Sequence, residues 1–130
     1  MAKKILVDTD ILIEMLEKGK EELLRKLVNY ELYTSYVSFY EYLWGYCYLG
    51  RDISKEKEIV EKIIDVIYPS QEILLKAMEI DVNLARKGEK ISQADIIIAA
   101  TALVTDMPLF TRNIKHFKRL EEYGLKLTIL

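Results

Sequence analysis

Apolar and polar positions alternate along this chain in two rhythms, one short and one helical. Ile5-Leu6-Val7 is an unbroken apolar run that stops at Asp8-Thr9-Asp10, the mark of a parallel strand buried on both faces. Residues 11–18 then read as a short helix stopped by Gly19. Residues 21–30 read as a second, with Leu23, Leu24, Leu27 and Val28 on one face. Residues 32–37, rich in β-formers, give a second strand. Ser38 begins a helix that runs through Glu41, Trp44 and Tyr48 to Gly50. Ser54 opens another, carrying Ile59, Ile63 and Ile64, and residues 66–68 form a brief third strand cut off by Pro69. Ser70 caps a long helix through Leu74, Ala77, Met78, Val82 and Leu84, ending at Gly88. The helix opened by Ser92 is apolar almost all round as far as Val104, so it must be covered on most sides. Residues 107–111 are a fourth strand with Pro108 near its entrance, 113–123 a basic helix, and 125–130 a closing strand.

Strands alternating with helices predict an α/β fold: three layers, α/β/α, around a central, mainly parallel sheet of the Rossmann-like kind. No linker, repeat or low-complexity segment interrupts residues 1–130, which are expected to form one domain. With 51% hydrophobic and 31% charged residues the chain has enough apolar material for a core without staples. One cysteine, Cys47, excludes an internal disulfide and a cysteine-rich zinc site, and fits a reducing compartment. The first apolar run is too short for a signal peptide and no stretch approaches the ~20 residues of a membrane span, so a cytoplasmic location is expected, with no membrane partner. A net charge of −2 argues against a protein that coats nucleic acid generally, though not against an enzyme that gathers acids in one place and bases in another.

Asp8 is the first candidate for chemistry. In open α/β sheets ligands bind outside the carboxyl ends of strands, where Asp8 sits. A structural role is open to it: Asp10 could cap the next helix while Asp8 binds the turn backbone. Glu41, three residues after Ser38, and Asp95, three after Ser92, each fit the capping box, in which the acid reaches back to the cap residue's amide. Together the three invite another reading. Asp8 and Glu41 follow strands and so converge at the carboxyl edge, while Asp95 stands at the mouth of a buried helix. Carboxylates in one cleft raise one another's pKa unless a cation joins them, and an all-oxygen set without His or Cys suits Mg²⁺ or Mn²⁺. His116, the only histidine, cannot build a His-based metal site. Arg112, Lys115 and Arg119 share a helical face beside the expected cleft, either as a solvated surface or as a site of phosphate attraction. The aromatic run Phe39, Tyr40, Tyr42, Trp44, Tyr46 and Tyr48 occupies too many helical faces to be all core. It suits a protein interface better than base stacking.

There is no Gly-rich phosphate loop and no Gly-x-Ser-x-Gly. Val7-Asp8-Thr9-Asp10-Ile11-Leu12, Val37-Ser38-x-x-Glu41, Ala94-Asp95-x-x-Ile98-Ala99-Ala100 and Thr111-Arg112-Asn113-x-x-His116-Phe117 together resemble the PIN domain, in the form of the VapC-type toxins of toxin–antitoxin pairs. The resemblance covers essentially the whole chain. It implies a metal-dependent ribonuclease with Mg²⁺ or Mn²⁺ held by Asp8, Glu41 and Asp95, leaving 5′-phosphate and 3′-hydroxyl ends. It places Asn113 where the wider family often has Asp, so that an uncharged amide orients a water or ligand there. Asp10 and Thr111 it places behind the acids, Thr111 as a hydroxyl that bonds the cluster. An antitoxin and a homodimer are the partners it implies. Two other functions remain open: an aspartate-nucleophile phosphatase, for which Asp8-x-Asp10 is also an opening motif, and a PIN fold kept only as a binding module.

Overall fold

In the computed structural model, which describes residues 2–130, the central strand is the first one. Strand β1 (Lys3–Val7) is flanked by β2 (Tyr30–Ser35) and β4 (Leu109–Phe110), with β3 (Asp65–Ile67) and β5 (Leu127–Thr128) outside them. The order is β3-β2-β1-β4-β5 and every pairing is parallel. β1 runs alongside β2 from Lys3 opposite Tyr30 to Val7 opposite Thr34, while β4 meets only its carboxyl end.

Alternation along β1 divides the molecule into layers. Ile5 and Val7 point to a core with Ile11, Leu12, Leu27, Phe39 and Val60, supplied by helices α1 (Thr9–Leu12), α2 (Glu21–Leu27), α3 (Tyr36–Tyr48) and α4 (Ile53–Ile63). Leu6 points the opposite way, to Ile80, Leu84, Ile96, Ala99, Phe117 and Leu120 of α5 (Gln71–Arg86), α6 (Gln93–Thr105) and the segment from α7 (Ile114–Phe117) into a 3-10 turn (Lys118–Tyr123). A strand apolar on both faces therefore carries a core on each side, and the α/β/α expectation holds. The nearly all-apolar α6 is covered as its composition requires, with Ile96, Ile98 and residues 99–102 buried.

Several boundaries differ from those expected, each for a local reason. β2 ends earlier because the Thr34 hydroxyl bonds the Val7 carbonyl at 2.9 Å and the Ser35 hydroxyl then accepts the Ser38 amide at 3.1 Å. Ser35, not Ser38, is thus the cap of α3, and the capping box proposed for Glu41 does not form. Asp52 rather than Ser54 caps α4, its carboxylate accepting the Ser54 amide. The α1 helix continues through a single π turn, Ile13–Glu17, with the Lys18 amide donating to the Ile13 carbonyl at 3.1 Å. The expected basic helix at 113–123 is one α-turn followed by 3-10 structure. No described helix is long and apolar enough to cross a membrane.

Candidate active site

Asp8 leaves β1 as the cap of α1 and is 7% exposed. Its Oδ1 accepts the Thr9 amide at 2.7 Å and its Oδ2 accepts the Thr111 hydroxyl, also at 2.7 Å. Thr111 lies just past β4 and is held there because its own oxygen accepts the Asn113 amide at 2.9 Å. These bonds favour the anion, yet burial outweighs them and pushes the Asp8 pKa up to about 6, helped by the charges of Asp10 and Asp95. An undersolvated carboxylate at the mouth of a cleft is the central electrostatic fact of the molecule.

Asp10 does not cap α1. Its Oδ2 accepts the Arg112 amide at 2.9 Å, tying the loop after β4 to the start of α1. Its Oδ1 is buried with no hydrogen-bond partner among the described residues, and burial raises its pKa against the pull of the Arg112 N–H. Glu41 sits in the second turn of α3, where its Oε1 accepts the Thr9 hydroxyl at 2.6 Å. Asp95, in the first turn of α6, forms half of its expected capping box: its amide donates to the Ser92 hydroxyl at 3.2 Å. Its carboxylate turns outward instead, with Oδ2 3.2 Å from His116 Nδ1. The same ring nitrogen stands 2.8 Å from Asn113 Nδ2, so it accepts from Asn113 in the tautomer that leaves Nδ1 bare and donates to Asp95 when Nδ1 carries the hydrogen.

Asp8, Asp10, Glu41, Asp95 and Asn113, with Thr9 and Ile13, line one cleft of about 310 Å³ at the carboxyl edge of the sheet. The structure therefore brings together all four residues expected to carry chemistry, including Asp95, which follows no strand. Their carboxylates do not close on a common point. Among the described residues no three His, Cys, Asp or Glu side chains stand close enough to hold one ion. Glu41 is occupied by Thr9 and Asp95 faces His116, the spread that mutual repulsion favours. The donor set still fits a hard divalent cation by its chemistry: every oxygen is anionic or neutral oxygen of the right kind, and Asp8 and the unpartnered Asp10 Oδ1 lack compensating charge.

The basic residues separate. Arg112 precedes α7 and so shares no helical face with Lys115 and Arg119. Its guanidinium is forked onto Glu14 at 3.0 and 3.2 Å, over the Phe110 ring. That pairing lowers the Glu14 pKa. Arg119 donates to the Glu89 carbonyl at 3.0 Å, and Lys115 is in no ion pair among the described residues. The residue that sequence reasoning passed over is Thr9, which touches two of the acids at once, through its amide and its hydroxyl. A hydroxyl between two aspartates at a helix start was the available signal.

Residues 5–123 match the PIN domain model, and the chain belongs to the PIN domain family. Ribonuclease VapC1 of Methanocaldococcus jannaschii is 35% identical over 95% of this chain and 86% of its own length. Among solved structures, VapBC2 from Rickettsia felis bound to a DNA fragment from its promoter superposes with a TM-score of 0.84 at 23% identity, covering 96% of this chain and 97% of that one. A toxin-antitoxin complex from Klebsiella pneumoniae superposes with a TM-score of 0.69 at 27% identity, covering 87% and 89%.

Proposed function

We propose that this chain is a metal-dependent endoribonuclease, the toxin of a toxin–antitoxin pair, and that it cuts RNA in the cleft between Asp8, Glu41 and Asp95. Asp8 carries the reading: a carboxylate with its pKa raised to about 6 by burial, beside two further acids brought from distant parts of the chain. Membership of the PIN domain family and likeness to a named ribonuclease support it.

Asp8, Glu41 and Asp95 would hold Mg²⁺ or Mn²⁺ in this cleft. When bound, such an ion acidifies a water and offsets charge on the scissile phosphate. Thr111 and the Thr9 amide fix the Asp8 carboxylate from behind, and Asp10 fixes Thr111 by anchoring the next residue's amide. Asn113 adds an uncharged amide at the rim that orients a water or a substrate oxygen. Of the three basic residues, Arg112 is committed to the Glu14 carboxylate, while Lys115 and Arg119, the latter bound to the neutral Glu89 carbonyl, keep their charge for phosphate. The phosphatase reading fits less well, because Asp10 receives the Arg112 amide rather than facing a leaving group.

An antitoxin partner comes with the toxin reading and is supported by the likeness to a toxin-antitoxin complex. A homodimer is supported by the exposed apolar side chains Leu74, Leu75 and Met78 on the outer face of α5. The single exposed thiol, Cys47, supports a reducing, cytoplasmic setting, and two cores sharing one sheet support a single domain.

The test is cleavage of a mixed-sequence RNA with Mg²⁺ or Mn²⁺ by Asp8→Asn, Glu41→Gln and Asp95→Asn. Each keeps hydrogen-bonding shape and loses charge, and each should lower the rate by roughly a hundredfold or more. Variants that cleave as well as the parent chain make these acids structural and leave a binding module.

A further inference from the structure

Positive charge is not spread evenly over this chain. Residues 86–90 and 115–122 hold six cations, Arg86, Lys87, Lys90, Lys115, Lys118 and Arg119, against three acids, Glu89, Glu121 and Glu122, in a chain whose net charge is −2. Of the six, only Lys87 is in an ion pair among the described residues, with Glu122. Three ties bind the two segments side by side. His116 Nδ1 stands 3.2 Å from Asp95 Oδ2 at the cleft, Arg119 donates to the Glu89 carbonyl at 3.0 Å, and Lys87 donates to the Glu122 carboxylate at 2.8 Å. One segment descends through 95, 89 and 87 as the other climbs through 116, 119 and 122. Together they make a seam that starts at the acidic cleft and leads away from it.

Lys90 stands in the middle of this seam on fixed backbone. Gly88, at φ 69°, ends α5, the Glu89 amide donates to the Leu84 carbonyl at 2.8 Å, and Ser92 caps α6. The bond from Arg119 completes the brace. Its acceptor is a neutral carbonyl, so it positions the guanidinium without cancelling the charge. Lys115, exposed beside His116, adds a third charge at the cleft end. No large apolar side chain from 86 to 123 is exposed, so this surface lacks the apolar centre on which a protein interface is built.

We infer that the seam is a track for the sugar-phosphate backbone of RNA beyond the cut, with Lys115, Arg119 and Lys90 meeting phosphates as the strand leaves the cleft. The inference rests on the ribonuclease reading for its ligand and extends the binding surface to the loop between α5 and α6. Phosphate contacts carry no sequence information, so the track rewards the length of the RNA rather than its bases.

The experiment uses two mixed-sequence RNA oligonucleotides, one of about 5 and one of about 20 nucleotides. Binding is measured in Ca²⁺ over a series of salt concentrations, and KM and kcat in Mn²⁺. The parent chain is compared with Lys90→Ala, Lys90→Glu and Lys62→Ala, the last an exposed lysine of α4 in the opposite layer. The parent should bind the long RNA roughly tenfold or more tighter than the short one. Lys90→Ala should reduce the slope of log affinity against log salt by about 0.7 for the long RNA. In KM, the advantage of length should shrink severalfold, further in Lys90→Glu, with kcat changed less. Lys62→Ala should match the parent. An unchanged slope in Lys90→Ala overturns the track, as does an equal loss in Lys62→Ala. A parent that cleaves RNA but treats the two lengths alike removes the track alone. A parent that binds the long RNA as expected and cuts none keeps the track and removes the nuclease reading alone.

Discussion

At the scale of single residues, Asp8 governs how the molecule responds to pH. Its folded pKa of about 6 lies above the ordinary carboxylate value near 4, so between those values the folded chain binds more protons than the unfolded one. Asp8 therefore takes stability away as pH rises from about 4 to about 6, and the full cost persists above that. Asp8→Asn removes the charge. Without metal, the variant should be more stable than the parent by ~1–3 kcal/mol at pH 7 and about equal to it near pH 4, in denaturant unfolding at both pH values. A variant less stable than the parent at pH 7 would show that the bonds from Thr9 and Thr111 outweigh burial. Added Mg²⁺ should close the pH 7 gap by stabilising only the parent, and its grip should weaken below about pH 6, where the proton competes. The position of Asp8 was legible from an apolar strand ending in acid. The Thr9 hydroxyl on Glu41 was not, because a contact between residues 32 apart leaves no periodic trace.

At the scale of elements, the order of strands and helices was readable from the two periods, while the exact boundaries were not. At α3 a contact from elsewhere in the chain bears on where the element starts. Ser35 and Ser38 are equally good caps by composition, and the bond from Thr34 to Val7, on the neighbouring strand, settles the choice. Ser35→Ala should cost ~1–2 kcal/mol and Ser38→Ala less than half of that, as read by denaturant unfolding. The reverse order would restore Ser38 as the cap. The basic helix departs at its other end: α7 begins at Ile114, one residue from the expected start, but after Phe117 the chain tightens into 3-10 structure that stops at Gly124. Asp95 shows the converse: Ser92 does cap its helix, yet the carboxylate is left free for the cleft.

At the scale of the whole molecule, the outer face of α5 leaves Leu74, Leu75 and Met78 more than half exposed, more apolar surface in one place than a lone subunit gains from. Sedimentation at micromolar concentration should find a dimer, and Leu75→Asp with Met78→Asp should give a monomer that remains folded by circular dichroism. A parent chain that sediments as a monomer removes the dimer. The parallel sheet has a consequence in time as well as in space. β1 is made first but cannot be completed until β4 arrives beside it, and Thr111, which sets the Asp8 carboxylate, lies 103 residues further on. A ribosome delivers these parts in that order, so a nascent or prematurely ended chain carries Asp8 and Glu41 without the strand that closes the cleft around them. A cell making this protein thus meets the assembled cleft only after β4 and Thr111 have been made.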